Sequence, residues 1–173
     1  MRNDVIWFKR EFEFIQPVEL FPTVVERLRG VPARLEEKLK GLSSDILTYR
    51  DGDGWSIQQQ LGHLILVDTL WDYRITDYLE GKDTLYAADL ANTRTHQTDH
   101  HAVPIGDLLS SFRKSRESLV GRFDKLTIKE AGLTAHHPRL NKPMRMIDHA
   151  FFAAEHDDHH LSRMTDLIEL ARK

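Results

Sequence analysis

Apolar residues recur every three to four positions over four stretches of the chain, the period of helices that bury one face. The first stretch, residues 19–42, aligns Val24, Val25, Leu28, Val31, Leu35, Leu39 and Leu42, but Gly30 and Pro32 interrupt it. Proline lacks an amide hydrogen and clashes with the preceding turn, so a kink or two abutting helices is expected there. The second stretch carries Ile57, Leu61, Leu64, Ile65, Leu70 and Trp71 and runs to Gly81. A turn at Asp51-Gly52-Asp53-Gly54 precedes it, and Ser56 with Gln59 three residues later has the form of a capping box, which starts the helix near Ser56. The third stretch has Pro104 in its first turn and Leu108, Leu109, Phe112, Leu119, Phe123 and Leu126 on its stripe, with lysine and arginine expected on its outer face. The fourth follows Pro143 and includes Met146, Ile147, Ala150, Phe151, Ala154, Leu161, Met164, Leu167 and Ile168.

The intervals between these stretches are polar. Residues 82–103, with His96, His100 and His101, read as a long connection, and residues 134–142 read as a second loop. Residues 5–17 mix aromatic and charged groups and stop at Pro17, which predicts an extended arm or short strand laying Phe12 and Phe14 on the body. Four principal helices with two long connections predict an all-α protein, a four-helix bundle. The 173 residues suit one domain spanning 1–173 better than two small ones.

Composition narrows the functions open to such a bundle. With 24 basic and 27 acidic residues the net charge of -3 gives no general attraction to nucleic acid or acidic lipid. No run approaches the ~18 apolar residues of a membrane span and the first ten residues hold no apolar leader core, so no membrane role and a cytoplasmic location are expected. The chain has no cysteine, which excludes disulfides, thiolate ligands and a thiol nucleophile of its own; imidazole and carboxylate remain as metal ligands. Neither a glycine-rich phosphate loop nor a Gly-x-Ser-x-Gly elbow occurs, the Glu-x-x-His repeats of di-iron bundles are missing, and nothing signals two carboxylates directed inward together.

The ten histidines then become the main candidates for chemistry. His156 and His160 lie four residues apart, about 40° around a helix and about 6 Å along it, so both rings can reach one ion. His149, two turns earlier, shares that face, whereas His159 is turned away by about 60° from His156 and about 100° from His160. His63, beside the apolar stripe of the second helix, should face inward and can supply a third ligand, giving a mononuclear site. Glu155, Asp157 and Asp158 could orient ligand rings, but solvation is the better expectation for at least two of them. Asp68, Trp71, Asp72 and Arg74 either line a pocket or form surface ion pairs around a core tryptophan.

The segment Asp53-Gly54-Trp55-Ser56-Ile57-Gln58-Gln59-Gln60-Leu61-Gly62-His63-Leu64, followed about ninety residues later by Glu155-His156-Asp157-Asp158-His159-His160-Leu161, resembles the DinB/YfiT-like family over nearly the whole chain. The resemblance implies a four-helix bundle, commonly a homodimer, with a divalent metal (Zn, Ni, Fe or Co) on His63, His156 and His160. Some relatives are S-transferases that use a small thiol such as bacillithiol or mycothiol, and many have no established reaction. The leading expectation is a metal-dependent enzyme, transferring a small-molecule thiol or activating water against a small electrophile, its catalytic groups beyond the metal ligands not assigned. The rival is a noncatalytic, stress-linked module that binds or senses a small ligand through the same pocket. A third reading pairs the histidines with neighbouring carboxylates and holds no metal.

Overall fold

The computed structural model describes residues 7–173. Two short helices, α1 (Phe21–Arg29) and α2 (Val31–Leu39), abut at Gly30, as the interrupted stripe requires. Pro32 falls in the first turn of α2, where its missing amide costs no helical hydrogen bond. A single turn, α3 (Ser44–Thr48), leads to the long helix α4 (Ile57–Leu79). Its start is fixed by the capping box: the Gln59 amide donates to Ser56 Oγ (3.2 Å), and the Ser56 amide donates to Gln59 Oε1 (3.0 Å). Further along lie α5 (Thr93–Gln97), α6 (Ile105–Phe123) and α7 (Ile128–Ala131), then a hairpin of β1 (Thr134–His137) and β2 (Lys142–Arg145), and finally α8 (Met146–Ala171). The α1–α2 pair, α4, α6 and α8 form the bundle, with α4 against α6 and α8, and α1 against the same two. No helix among the described residues is long and apolar enough to cross a membrane.

Three expectations are corrected here. Residues 134–142 are not a loop but mostly a hairpin whose strands pair antiparallel from Thr134 with Arg145 to His137 with Lys142. Strands of four residues are too short to show an alternating pattern in sequence. Pro143 therefore sits in β2 opposite His136 rather than opening a helix, and α8 begins at Met146, capped by Asp148 against the Arg145 backbone and guanidinium. Pro104 stands just before α6 instead of in its first turn. In the described part of the N-terminal arm there is one 3-10 turn at Trp7–Lys9 and then irregular chain; residues 5 and 6 lie outside the described residues. The arm does bring Phe12 onto Phe152, with ring centroids 4.8 Å apart.

The third correction concerns the outer face of α6. Arg116 is 1% exposed and lies inside the bundle. Its Nη2 donates to Asp68 of α4 (2.8 Å), its Nη1 donates to Asp157 of α8, and Nη1 also approaches the Leu28 carbonyl of α1 (3.4 Å). Phe112, one turn earlier on α6, covers the guanidinium at 4.7 Å. Asp68 and Asp157 are thus two carboxylates directed inward together, but both are committed to this cation. Burial pushes the Asp157 carboxyl up to about 6 and raises that of Asp68, with Arg116 opposing both; burial also disfavours the guanidinium, but Asp157 and Asp68 raise its pKa and keep it protonated. Apolar clusters built on Val24, Leu28, Phe123 and Phe152, and on Leu35, Leu61, Phe112 and Leu167, supply the rest of the core.

The 82–103 connection is docked rather than loose. Gln58 Nε2 donates to the carbonyls of His100 (3.1 Å) and Val103 (2.8 Å), and Ser56 Oγ lies 2.7 Å from His101 Nε2. The His100 ring rests on Gly62, where an added Cβ would come within 2.1 Å of its Nδ1. Glycine inside a helix is about 1 kcal/mol less favourable than alanine, so its presence here is explained by this close approach.

Two substitutions test these contacts. Arg116→Met leaves two buried carboxylates without their cation and is expected to lower the unfolding free energy in urea by about 3–5 kcal/mol; a loss below about 1 kcal/mol would remove the ion pair from its structural role. Gly62→Ala is expected to lower the melting temperature and speed amide exchange across residues 93–103, whereas a simple gain in helix propensity would raise stability.

Candidate metal centre

His63 on α4 and His156 and His160 on α8 converge at one level of the bundle, 6%, 7% and 5% exposed. Their nearest ring nitrogens all lie within 4.8 Å of one another. His156 Nε2 is 3.4 Å from His63 Nε2 and 3.2 Å from His160 Nε2. Two imidazoles bound tetrahedrally to one ion at 2.0–2.1 Å stand about 3.3 Å apart at their nitrogens, so this spacing fits a shared cation. The opposite edges of two rings meet side-chain oxygens. His160 Nδ1 meets Gln60 Oε1, and His63 Nδ1 lies 3.1 Å from Thr95 Oγ1. The Gln60 amide oxygen can only accept, so it keeps the His160 proton on Nδ1 and turns the Nε2 lone pair toward the common point, while the Thr95 hydroxyl anchors the His63 ring. His156 Nδ1 has no partner among the described residues; its ring is fixed between Trp7 (5.1 Å) and Trp71 (5.6 Å).

Trp55 closes the other side, 4.7 Å from the His63 ring and stacked at 6.3 Å on His160. Such burial disfavours imidazolium. Desolvation lowers the pKa of His63 to about 4, with His100 and His96 adding repulsion. Burial, reinforced by the neighbouring rings, holds His156 and His160 well below the usual value. Three neutral imidazoles with converging lone pairs are a donor set for a borderline divalent cation. None of the three makes an ion pair with a carboxylate among the described residues.

The other candidates separate clearly. His149 is a core histidine, fully buried with Nε2 3.3 Å from the Trp71 carbonyl, and it borders neither the cluster nor the cavity beside it. His159 borders that cavity, its ring 5.6 Å from Trp7. The carboxylates flanking the pair are committed to arginines rather than to the rings: Asp157 is buried on Arg116, Glu155 is held by Arg27 (2.7 Å) and Arg10, and the partly exposed Asp158 by Arg27 (2.6 Å) and Arg34 (2.7 Å). Adjacency on a helix conceals this, because the arginines come from other elements: Arg27 and Arg34 from α1 and α2, more than a hundred residues away, Arg10 from the N-terminal arm and Arg116 from α6. Asp68 is buried on Arg116 and Asp72 is paired with Arg122 (2.8 Å), whereas Trp71 and Arg74 line the cavity.

Sequence reasoning did not find Gln60 and Thr95 as groups that orient the rings. Gln60 stands three residues before His63 on the same helix, a spacing that could have marked it. Thr95 lies on α5 in the polar connection and reaches His63 only through tertiary docking, for which no local signal exists. The adjoining cavity has a volume of about 660 Å³ and is walled by Trp7, Trp71, Tyr86 and Phe152 as well as the histidines. That is the size of a small-molecule pocket.

The depressed histidines set a pH dependence. His63, His100, His137, His149, His156 and His160 bind protons less readily folded than unfolded, so acid favours the unfolded chain; the raised carboxyls of Asp68 and Asp157 act oppositely but are fewer. Stability of the metal-free protein is expected to be full above the ordinary histidine value of 6.5 and to fall as pH drops toward about 4, the folded value of His63. Melting temperatures across pH 4–8 (roughly the window these shifts define) check this, and a flat profile would contradict it.

The sequence matches the family model described as the DinB superfamily over residues 27–164, a range that contains all three histidines. Among solved structures, the chain is similar to YfiT from Bacillus subtilis, described as a probable metal-dependent hydrolase with an unusual four-helix bundle topology, with a TM-score of 0.79 and 19% identity over 93% of this chain and 92% of that one. At that identity the likeness is one of fold. No curated protein matches the sequence. Spanning most of the bundle and the whole histidine cluster, the match establishes that this chain belongs to the DinB superfamily.

Proposed function

We propose that the protein binds one divalent cation through His63, His156 and His160 and uses it in a reaction of a small molecule held in the adjoining cavity. The observation that carries this reading is the convergence of three buried, neutral imidazoles at ligand spacing. A cation held there supplies Lewis-acid charge that makes water or a thiol a better nucleophile at neutral pH. The chain's own residues prepare the site. Gln60 keeps His160 in the tautomer that presents Nε2, Thr95 positions the His63 ring, and Trp7, Trp55 and Trp71 hold the rings and keep bulk water away. The description of YfiT as a probable metal-dependent hydrolase supports the water route. A thiol route needs an external thiol, because this chain has no cysteine.

Metal analysis of the purified protein is expected to give one divalent ion per chain, lost in His160→Ala. Gln60→Leu removes an orienting acceptor and is expected to weaken metal affinity by about 10–100-fold. A wild-type protein that takes up no metal, or a His160→Ala protein that keeps it, would overturn the assignment. Hydrolysis of model esters and amides, set beside conjugation of glutathione or bacillithiol to model electrophiles, separates the two routes. Metal uptake with silence in both assays would move the protein to the noncatalytic, ligand-binding reading.

A further inference from the structure

The cavity beside the histidine cluster is lined by two guanidinium groups, those of Arg74 and Arg139, that form no salt bridge among the described residues. Arg74 of α4 is 1% exposed, yet its contacts are neutral: Nε donates to the Tyr86 carbonyl (3.0 Å) and Nη1 lies 3.0 Å from His137 Nε2. Asp77, whose charge acts on Arg74, is itself occupied by Lys82 Nζ (2.9 Å) and the Tyr86 amide (2.6 Å). Arg139, in the turn between β1 and β2, spreads its guanidinium over the rings of Phe152 (5.4 Å), Phe8 (5.5 Å) and Trp7 (5.9 Å). Its Nη2 is buried without a hydrogen-bond partner. Neither arginine makes a salt bridge among the described residues, and the two carboxylates that line the cavity, Asp53 and Asp89, are no exception. Burial lowers the pKa of Arg74 to about 10, with Arg139 adding repulsion, and burial lowers that of Arg139 as well.

Arginines elsewhere in the bundle are treated differently. Arg27, Arg113, Arg116 and Arg145 each face a carboxylate within 2.8 Å. Withdrawing a guanidinium from water without a counter-charge is strongly unfavourable, and the fully buried Arg74 and the half-buried Arg139, whose Nη2 is buried without a partner, mark this cavity wall as a place built to receive an anion. The planar guanidinium presents paired donors that match a carboxylate or a phosphate. The surrounding Trp7, Trp71 and Phe152 side chains offer apolar surface to the remainder of the molecule.

We infer that Arg74 and Arg139 form an oxyanion subsite, and that the small molecule accepted by this cavity carries a carboxylate or phosphate on an apolar body. This deepens the function proposed above by giving the substrate of the histidine centre a charged end, but anion binding at the arginines requires no metal. The chelator-treated full chain is therefore the test material, titrated with phenylacetate, phenyl phosphate and the neutral isostere phenylacetamide while the fluorescence of the cavity tryptophans is followed. At least one of the two anions is expected to change the fluorescence saturably and raise the melting temperature, with phenylacetamide at least tenfold weaker; which anion binds tighter identifies the oxyacid. Arg139→Gln, on a surface turn, is expected to weaken the anion at least tenfold while keeping the wild-type circular dichroism, and Arg74→Gln is a second variant of the buried partner. Equal binding of the amide, unchanged anion affinity in Arg139→Gln, or binding that appears only after metal loading would overturn the assignment. A protein that takes up no metal but binds the anion would retain this subsite and lose only the metal reading.

Discussion

A single guanidinium on α6 meets the other three walls of the bundle. Arg116 is joined to Asp68 on α4, to Asp157 on α8 and to a backbone carbonyl on α1, with all three charged side chains almost fully withdrawn from water. A cation in that position tolerates little displacement, because any slip of one helix along another would leave a buried charge unmatched. The carboxylates lie next to the metal-ligand candidates in sequence: Asp157 follows His156, and Asp68 is five residues beyond His63 on the same helix. The alignment that satisfies Arg116 is therefore the alignment that brings the three imidazoles together. Apolar packing, which is non-directional, supplies most of the stabilisation without fixing such a register.

The walls of the site come from segments spread along the chain. The N-terminal arm sets Trp7 against His156, α5 delivers Thr95 to His63, and the hairpin turn carries Arg139 to the same cavity. The two long helices supply the three clustered imidazoles, while irregular segments supply polar and aromatic groups around them. This division is physical: helices hold side chains in fixed relative positions, and loops reach over them with greater freedom of side-chain choice.

Much of the bundle was legible because its helices are long and periodic. The capping box at Ser56 and the break at Gly30 and Pro32 located helix ends to within a residue or two, and helical phase singled out His156 and His160 from their neighbour His159. What was not legible depends on distant partners. Arg116 lies on the stripe of Phe112, Leu119 and Phe123, four residues after the first, but a basic residue reads as exposed until two carboxylates from other helices are placed beside it. Asp157 and Glu155 failed in the same way. The hairpin escaped notice because each strand is only four residues long, too short for an alternating pattern to stand out. Thr95 carries no local mark of its contact with His63.

The contact between Gly62 and the His100 ring ties a helix position to a loop position thirty-eight residues away in sequence. The space is filled once, either by a side chain at 62 or by the ring at 100. The two positions thus form one unit of inheritance. In descendants of this chain, a larger residue at 62 becomes tolerable only after a small one has replaced His100, and the order of those two substitutions is constrained. Because Thr95 hangs on the same docked segment, such an exchange would also change how His63 is held, so drift at an inconspicuous glycine offers a route by which this histidine cluster could be retuned without altering any of its rings.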